Sequence, residues 1–332
     1  MAGGCVESRR RVLAVLCANR RSGARRPHLQ QHLRRARGRD SHLPGKGPGV
    51  LIPIGLDPDA EVAAGVIGFP IRHSLSPVIC QAAFDGLGLD WVYAAFEVAP
   101  GEAARALDEM RDRAMAGLSV TMPHKADVAS AVDELSPAAA ALGVVNCVAR
   151  DGERLVGHNT DGAGFCDALL AEGVELAGIS CAVLGAGGAA RAVVAELARR
   201  EVGEVAVIAR RPEAAASAAA LAGSTGTTAS LADIGRFRLV VNATPVGMAE
   251  TEGAGNVPLD PDLLHGGQHV AELVYNPLHT PLLAECHRRG VPASTGVGML
   301  VYQAAHAVGI WTGADPPVEA MTAAATEALK GR

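Results

Sequence analysis

The stretch SCAVLGAGGAARAVVAELARR, Ser180–Arg200, reads as a strand, a glycine turn and a helix, and its reading decides the fold. Gly185, Gly187 and Ala190 set out the pattern G-x-G-x-x-A between the apolar run and the helical one. In that context the first glycine makes the turn and the second lets backbone approach a pyrophosphate. The amides of the helix N-terminus then hold the anion. We therefore assign Gly185, Ala186, Gly187, Gly188 and Ala189 to a dinucleotide-binding turn rather than to a ligand-free glycine crossover.

Working outward, strand-like and helix-like segments alternate from Ala64 to the end of the chain. AGVIGFP, WVYAAFEV and GLSVT read as strands, separated by the helical SPVICQAAFDGLGL and GEAARALDEMRDRAMA. In the first helix Ser76 is the expected N-cap and Pro77 the first helical residue. In the second, Ala104, Leu107, Met110 and Ala114 share one face. A short helix is expected from near Pro123, and VVNCVAR and RLVGHN pair around Asp151-Gly152. After Asp161, FCDALLAEG is helical, and EVAVIAR, FRLVVNAT, HVAELVY and VPAS alternate as strands with the helical PEAAASAAALA and TPLLAECHRRG. Helices Met299–Ile310 and Val318–Leu329 close the chain. This alternation predicts an α/β protein with mainly parallel sheets and right-handed crossovers. The domains are expected at 61–162 and at 163–296, the latter a Rossmann domain, after an Arg-rich, disordered extension over 1–60.

Bulk composition agrees. The 332 residues are enough for two cores, and with 49% hydrophobic but only 3% aromatic residues those cores are built from small aliphatic contacts. Charge is uneven: up to Lys46 there are 12 basic residues against Glu7 and Asp40, leaving a net of −15 for the rest. The basic arm, broken by Pro27, Gly38, Pro44, Gly45 and Pro48, reads as an extension rather than a nucleic-acid-binding or transit element. No apolar run approaches the ~20 residues that span a bilayer, so no membrane partner is expected. The seven cysteines form no CxxC pair and the 11 histidines no HxxH or HExxH. They read as reduced core thiols of a cytoplasmic protein with no metal site.

Two features point to chemistry. The strand EVAVIAR ends in Ala209, Arg210 and Arg211, with none of the acid that holds a ribose 2′-hydroxyl. A guanidinium pair there suits a 2′-phosphate, so NADP is the expected cofactor. Among 30 basic residues only Lys46, Lys125 and Lys330 are lysines, and Lys125 alone lies in the folded body, within LSVTMPHK. A lysine releases a proton when its surroundings depress its pKa, and an arginine does not. On composition alone Lys125 is equally a proton donor or an ordinary helix-surface lysine.

The runs GFPIRHSLSP, SVTMPHK, GVVNCV, HNTDGAG, GAGGAAR, NATPVGM, VYNPLHTPLL and GMLVYQAA occur in order and resemble the shikimate dehydrogenase family over Val66 to Ala314. The resemblance implies NADPH-dependent, reversible reduction of 3-dehydroshikimate to shikimate in aromatic amino-acid biosynthesis. It implies catalytic roles for Lys125 and Asp161, and substrate contacts from Ser74, Ser76, Thr121, Asn146, Tyr275 and Gln303. Cofactor contacts are implied for Asn242 and Thr244, and for Leu273 and Gly296 near the nicotinamide. Because Gln303 lies on a late helix, 297–332 is expected to return to the first domain. A small-molecule partner is implied, acting on a monomer or homodimer. Ser119 and Glu272 depart from the family pattern, as does the lack of an arginine a few residues beyond Arg211. The last departure keeps an NAD-using quinate/shikimate dehydrogenase as the alternative, beside a catalytically silent shikimate-binding homologue.

Overall fold

A computed structural model describes residues 49–57, 60–249 and 251–330. The expectations placed on residues 1–48 lie outside the described residues. Over 49–57, however, the disordered extension expected for 1–60 is overturned: Leu51 is fully buried in a hydrophobic core, its amide donates to Glu109 at 2.9 Å, and Ile54 N–H donates to Ala95 O at 2.9 Å. The chain divides into two compact units. One holds the described residues up to Asn159 together with Ala307–Met321, and the other holds Thr160–His306 and 322–330.

The first unit is built in the order β1 (Ala64–Gly68), α1 (Ser76–Gly86), β2 (Tyr93–Glu97), α2 (Ala103–Asp112), β3 (Gly117–Val120), α3 (Lys125–Ala131), β4 (Glu134–Leu135), α4 (Pro137–Leu142), β5 (Cys147–Asp151) and β6 (Arg154–His158). Its sheet runs β2-β1-β3-β5-β6-β4. β1 is parallel to β2 and to β3, whereas β5 is antiparallel to both β3 and β6. Ile67, Phe96, Leu118, Val120 and Val148 bury one face against Leu107 and Met110 of α2. Ser76 is not the helix cap. The capping position is Leu75, and the Ser76 amide is taken by Ser74 Oγ at 3.2 Å.

The second unit follows as α5 (Asp161–Ala171), β7 (Ser180–Leu184), α6 (Gly188–Arg199), β8 (Glu204–Ile208), α7 (Pro212–Ala219), β9 (Gly226–Thr228), β10 (Leu239–Asn242), β11 (His269–Glu272), α8 (Pro281–Arg289), β12 (Ala293–Ser294), α9 (Gly296–Thr312) and α10 (Val318–Lys330). The sheet order is β12-β11-β10-β7-β8-β9, and every pair is parallel. Alternate residues of each strand enter two different cores. Cys181, Val183, Val205, Val207 and Val241 pack with Val193 and Leu197 of α6. Ala182, Leu184, Ala206, Ile208 and Val240 pack with Phe237 and Leu282. A sheet covered on both faces needs strands apolar on both sides, which is why these runs are nearly continuous Val, Ala and Leu. This is the doubly wound Rossmann arrangement, with the order of strands reversing at β7 and β10.

The last helices return to the first domain in part: of the described residues in 297–332, Ala307–Met321 group with the first unit and 297–306 and 322–330 with the second. The reason is packing along one helix. Near its start, α9 rests on α5, where a side chain at Gly164 would run into the Gln303 backbone and one at Gly298 would meet Ala168 at 3.1 Å. Further along, the Trp311 indole lies over Gly117 and donates to Val148 O at 3.0 Å. A Cβ at Gly117 would overlap that indole outright. Gly117→Ala is therefore expected to destabilise the first unit by about 1–3 kcal/mol through overpacking. Chemical denaturation followed by tryptophan fluorescence checks this, and an unchanged midpoint would refute the packing argument.

Candidate active site and cofactor site

In the first unit the topology gathers the predicted residues at one end of the sheet. β1 and β3 are parallel and β5 is antiparallel to β3, so the C-terminal ends of β1 and β3 meet the N-terminal end of β5. From these ends come the loop bearing Ser74 and Ser76, then Thr121 and Lys125, then Asn146. Backbone bonds lock the three together. Thr121 N–H donates to Ile67 O (3.0 Å), Phe69 N–H to Met122 O (2.9 Å), Val120 N–H to Asn146 O (2.7 Å) and Val145 N–H to Lys125 O (2.9 Å). Lys125 is the first residue of α3 and is half-buried, as are Ser74, Ser76 and Thr121, while Asn146 is buried.

One residue here escaped the sequence reading. His124 is fully buried, and its Nε2 donates to Val98 O at 2.8 Å, since a carbonyl only accepts. This bond anchors the residue immediately before Lys125 to the end of β2. Its place inside an exposed-looking MPHK run hid it. Ser119 takes the Tyr93 phenol proton at 2.9 Å, so its departure from the family pattern is absorbed by a buried neighbour.

In the second unit Asp161 opens α5 and is only 7% exposed. A carboxylate in the first helical turn is favoured by the amide dipoles. Thr160 Oγ1 donates to Gln303 O at 3.0 Å and Gly164 admits the Gln303 backbone, which brings Gln303 to the start of α5. A second tie between the same helices runs from His306 Nε2 to Asp167 Oδ2, 2.8 Å, with Arg200 on the other carboxylate oxygen at 2.7 Å. Burial pushes the Asp167 carboxyl up, but His306 and Arg200 outweigh it and hold it below the usual carboxylate range. Sequence reading missed this cluster because its members are spread over residues 167 to 306.

The glycine turn has the form that the sequence required. Gly185 has φ 109°, and a Cβ there would lie 2.8 Å from Ala243 O, so only glycine fits where β7 meets β10. Gly187 precedes α6, no side chain caps that helix, and a Cβ at Gly187 or Gly188 would meet nothing within 4 Å. An uncapped helix start facing open space fits a pyrophosphate. Ala186 and Ala189 line the same turn. Arg210 and Arg211 are exposed after β8, and Arg191, unassigned in the sequence reading, reaches from the first turn of α6 to Ser217 Oγ at 3.3 Å.

Leu273 and Gly296 come together: a Cβ at Gly296 would sit 2.5 Å from Leu273 O. Tyr275, half-buried, follows on the same loop. Asn242, for which the resemblance implies a cofactor contact, is 0% exposed, and its side chain is bonded to protein partners. Its Oδ1 accepts from Thr244 N–H (3.1 Å) and Thr244 Oγ1 (2.7 Å), and its Nδ2 donates to Glu272. Asn242 holds Thr244 in place. Among the described residues no cluster of His, Cys, Asp and Glu forms a metal site, and no helix is long and apolar enough to cross a membrane.

Comparison with known proteins gives a concordant result. A family model described as the shikimate dehydrogenase substrate binding domain matches residues 66–148, and one described as the shikimate 5′-dehydrogenase C-terminal domain matches 296–326. A shikimate dehydrogenase (NADP(+)) of Geobacter metallireducens is 42% identical over 278 residues, 80% of this chain and 96% of the relative. That of Thermococcus kodakarensis is 42% identical over 82% of this chain and 98% of its own. Among solved structures, shikimate 5-dehydrogenase from Thermus thermophilus in complex with NADP(H) and shikimate superposes with a TM-score of 0.75. It is 38% identical, covering 81% of this chain and 100% of the other.

Proposed function

The chain belongs to the shikimate dehydrogenase family, and we propose that it interconverts 3-dehydroshikimate and shikimate with NADP as the redox partner. The observation that carries the proposal is 42% identity to a shikimate dehydrogenase (NADP(+)) along 96% of that relative. The glycine turn, whose geometry suits a pyrophosphate, agrees with it.

NADPH supplies the hydride when bound, and Gly185–Ala189, Thr244, Leu273, Gly296, Arg210 and Arg211 are the residues that would hold it. The chain's other groups bind the substrate and handle the proton. Shikimate has one carboxylate and three hydroxyls, so its site calls for hydroxyl and amide side chains. Ser74 and Ser76 take the carboxylate. What supports this is that Ser74 Oγ already accepts from the Ser76 amide, which leaves its own proton to donate to an anion. Thr121, Asn146, Tyr275 and Gln303 take hydroxyls. Lys125 gives its proton to the oxygen that becomes the C3 hydroxyl, and Asp161 accepts a hydrogen bond from that hydroxyl and orients it. The reading includes a cytoplasmic enzyme working as a monomer or homodimer.

Steady-state absorbance at 340 nm, with shikimate and quinate each offered against NADP+ and NAD+, tests the proposal. Shikimate with NADP+ should give the highest kcat/KM. Ligand binding without turnover would instead identify a silent homologue, and equal or faster turnover of quinate with NAD+ would favour the alternative enzyme.

A further inference from the structure

We infer that Glu272 is a positioning residue whose carboxylate fastens the loop after β10 to the loop after β11, and so fixes the nicotinamide side of the cofactor seat. The inference rests on the functional reading above only in naming what that seat holds. β10 and β11 are parallel neighbours, and Asn242 and Glu272 face each other in register as their last residues. In-register residues of parallel strands point to the same face, which here is sealed: Asn242 is 0% exposed and Glu272 2%.

The carboxylate uses both oxygens. Asn242 Nδ2 donates to Oε1 at 2.9 Å and to Oε2 at 3.1 Å. Val274 N–H donates to Oε1 at 2.9 Å, and Thr280 Oγ1 to Oε2 at 3.1 Å. Two loops therefore hang on one group. Through Asn242 the carboxylate holds Thr244, whose amide and hydroxyl both donate to Asn242 Oδ1. Through Val274 and Thr280 it pins both ends of the segment that carries Tyr275, and Thr280 also caps α8.

Stability alone does not account for such a group. All these donors are neutral, and a buried charge without a cationic partner is costly compared with a packed apolar side chain. Burial accordingly pushes the Glu272 carboxyl above its ordinary value, against the pull of its hydrogen bonds. What the carboxylate provides is acceptor capacity in two directions at once. An amide cannot replace it, because glutamine would turn one acceptor into an NH2 group facing the Asn242 NH2. Aspartate keeps the acceptors on a shorter stem.

The test uses full-length E272Q and E272D. Binding of NADPH, read by its fluorescence, is compared with binding of adenosine 2′,5′-bisphosphate, which lacks the nicotinamide half, read by calorimetry. Turnover of shikimate is measured alongside. E272Q should weaken NADPH binding and lower kcat by up to about 10²-fold, the scale of a misplaced positioning contact, with bisphosphate affinity essentially unchanged. E272D should recover most of both losses. Wild-type NADPH binding and kcat in E272Q, or a parallel loss of the two ligands, would overturn the inference. A wild-type chain that binds NADPH without oxidising shikimate would overturn the functional reading instead, while the binding comparison still decides the role of Glu272.

Discussion

Lys125→Met is expected to reduce kcat for shikimate oxidation by ~10²- to 10⁴-fold, the range for a positioned acid or base, with NADPH affinity unchanged. The argument starts from chemistry: a ketone becoming an alcohol needs a proton at the oxygen, and Lys125 is the one lysine between Lys46 and Lys330. It opens α3 on a loop held to its neighbours by main-chain bonds, so removing the ammonium leaves the loop's own supports in place. Lys125→Arg separates the two services an ammonium could perform. Arginine keeps the positive charge but does not release its proton. If Lys125 transfers the proton, Arg should be nearly as inactive as Met. If it only attracts the substrate electrostatically, Arg should restore turnover. A methionine variant retaining more than about a tenth of wild-type kcat would remove Lys125 from the chemistry altogether, given that range.

How much of this was legible beforehand depends on the distance over which each feature is encoded. The turn at Gly185 is local, since strand, glycines and helix are contiguous, and its place in an all-parallel sheet followed from the alternation around it. The loops with Ser74, Thr121 and Asn146 were identified as pieces, but their convergence needed the antiparallel turn of β5 beside β3. α4 went unread although its signals are local. Ser136 accepts from the Ala139 amide, Pro137 opens the helix, and Gly143 closes it in the left-handed conformation. Its six residues are too few to show helical periodicity. β4 and β9, of two and three residues, gave no pattern either.

The least legible features were the side-chain ties. Asn242 and Glu272 stand 30 residues apart, and only strand register brings them together. The resemblance alone implied a cofactor contact for Asn242. Its side chain is completely buried and bonded to Glu272 and Thr244, which no local pattern announced. The same reasoning explains why α9 was placed in a single domain: nothing in its apolar run distinguishes the turn that meets Gly164 from the turn that meets Gly117.

Arg210→Ser with Arg211→Ser is expected to lower kcat/KM for NADP+ by roughly 10² to 10³, the worth of two charge-assisted hydrogen bonds, and to change kcat/KM for NAD+ by less than about threefold. The asymmetry is the content of the prediction. Both cofactors share the pyrophosphate and the nicotinamide, so damage to α6 or to the β7 turn would depress them together. They differ at the 2′ position, where NADP carries a phosphate dianion and NAD a neutral hydroxyl. Arg210 and Arg211 are exposed at the end of β8, the strand beside β7, where an acid would have to stand for NAD to be preferred. Serine removes the charge without supplying that acid, so the double variant should lose discrimination rather than reverse it. Because salt screens exposed charges, the wild-type preference should shrink as ionic strength rises, and the variant's should not. An equal fall for both cofactors would assign the two arginines to the strand end itself, and 2′-phosphate recognition would have to rest on Arg191 at the start of α6.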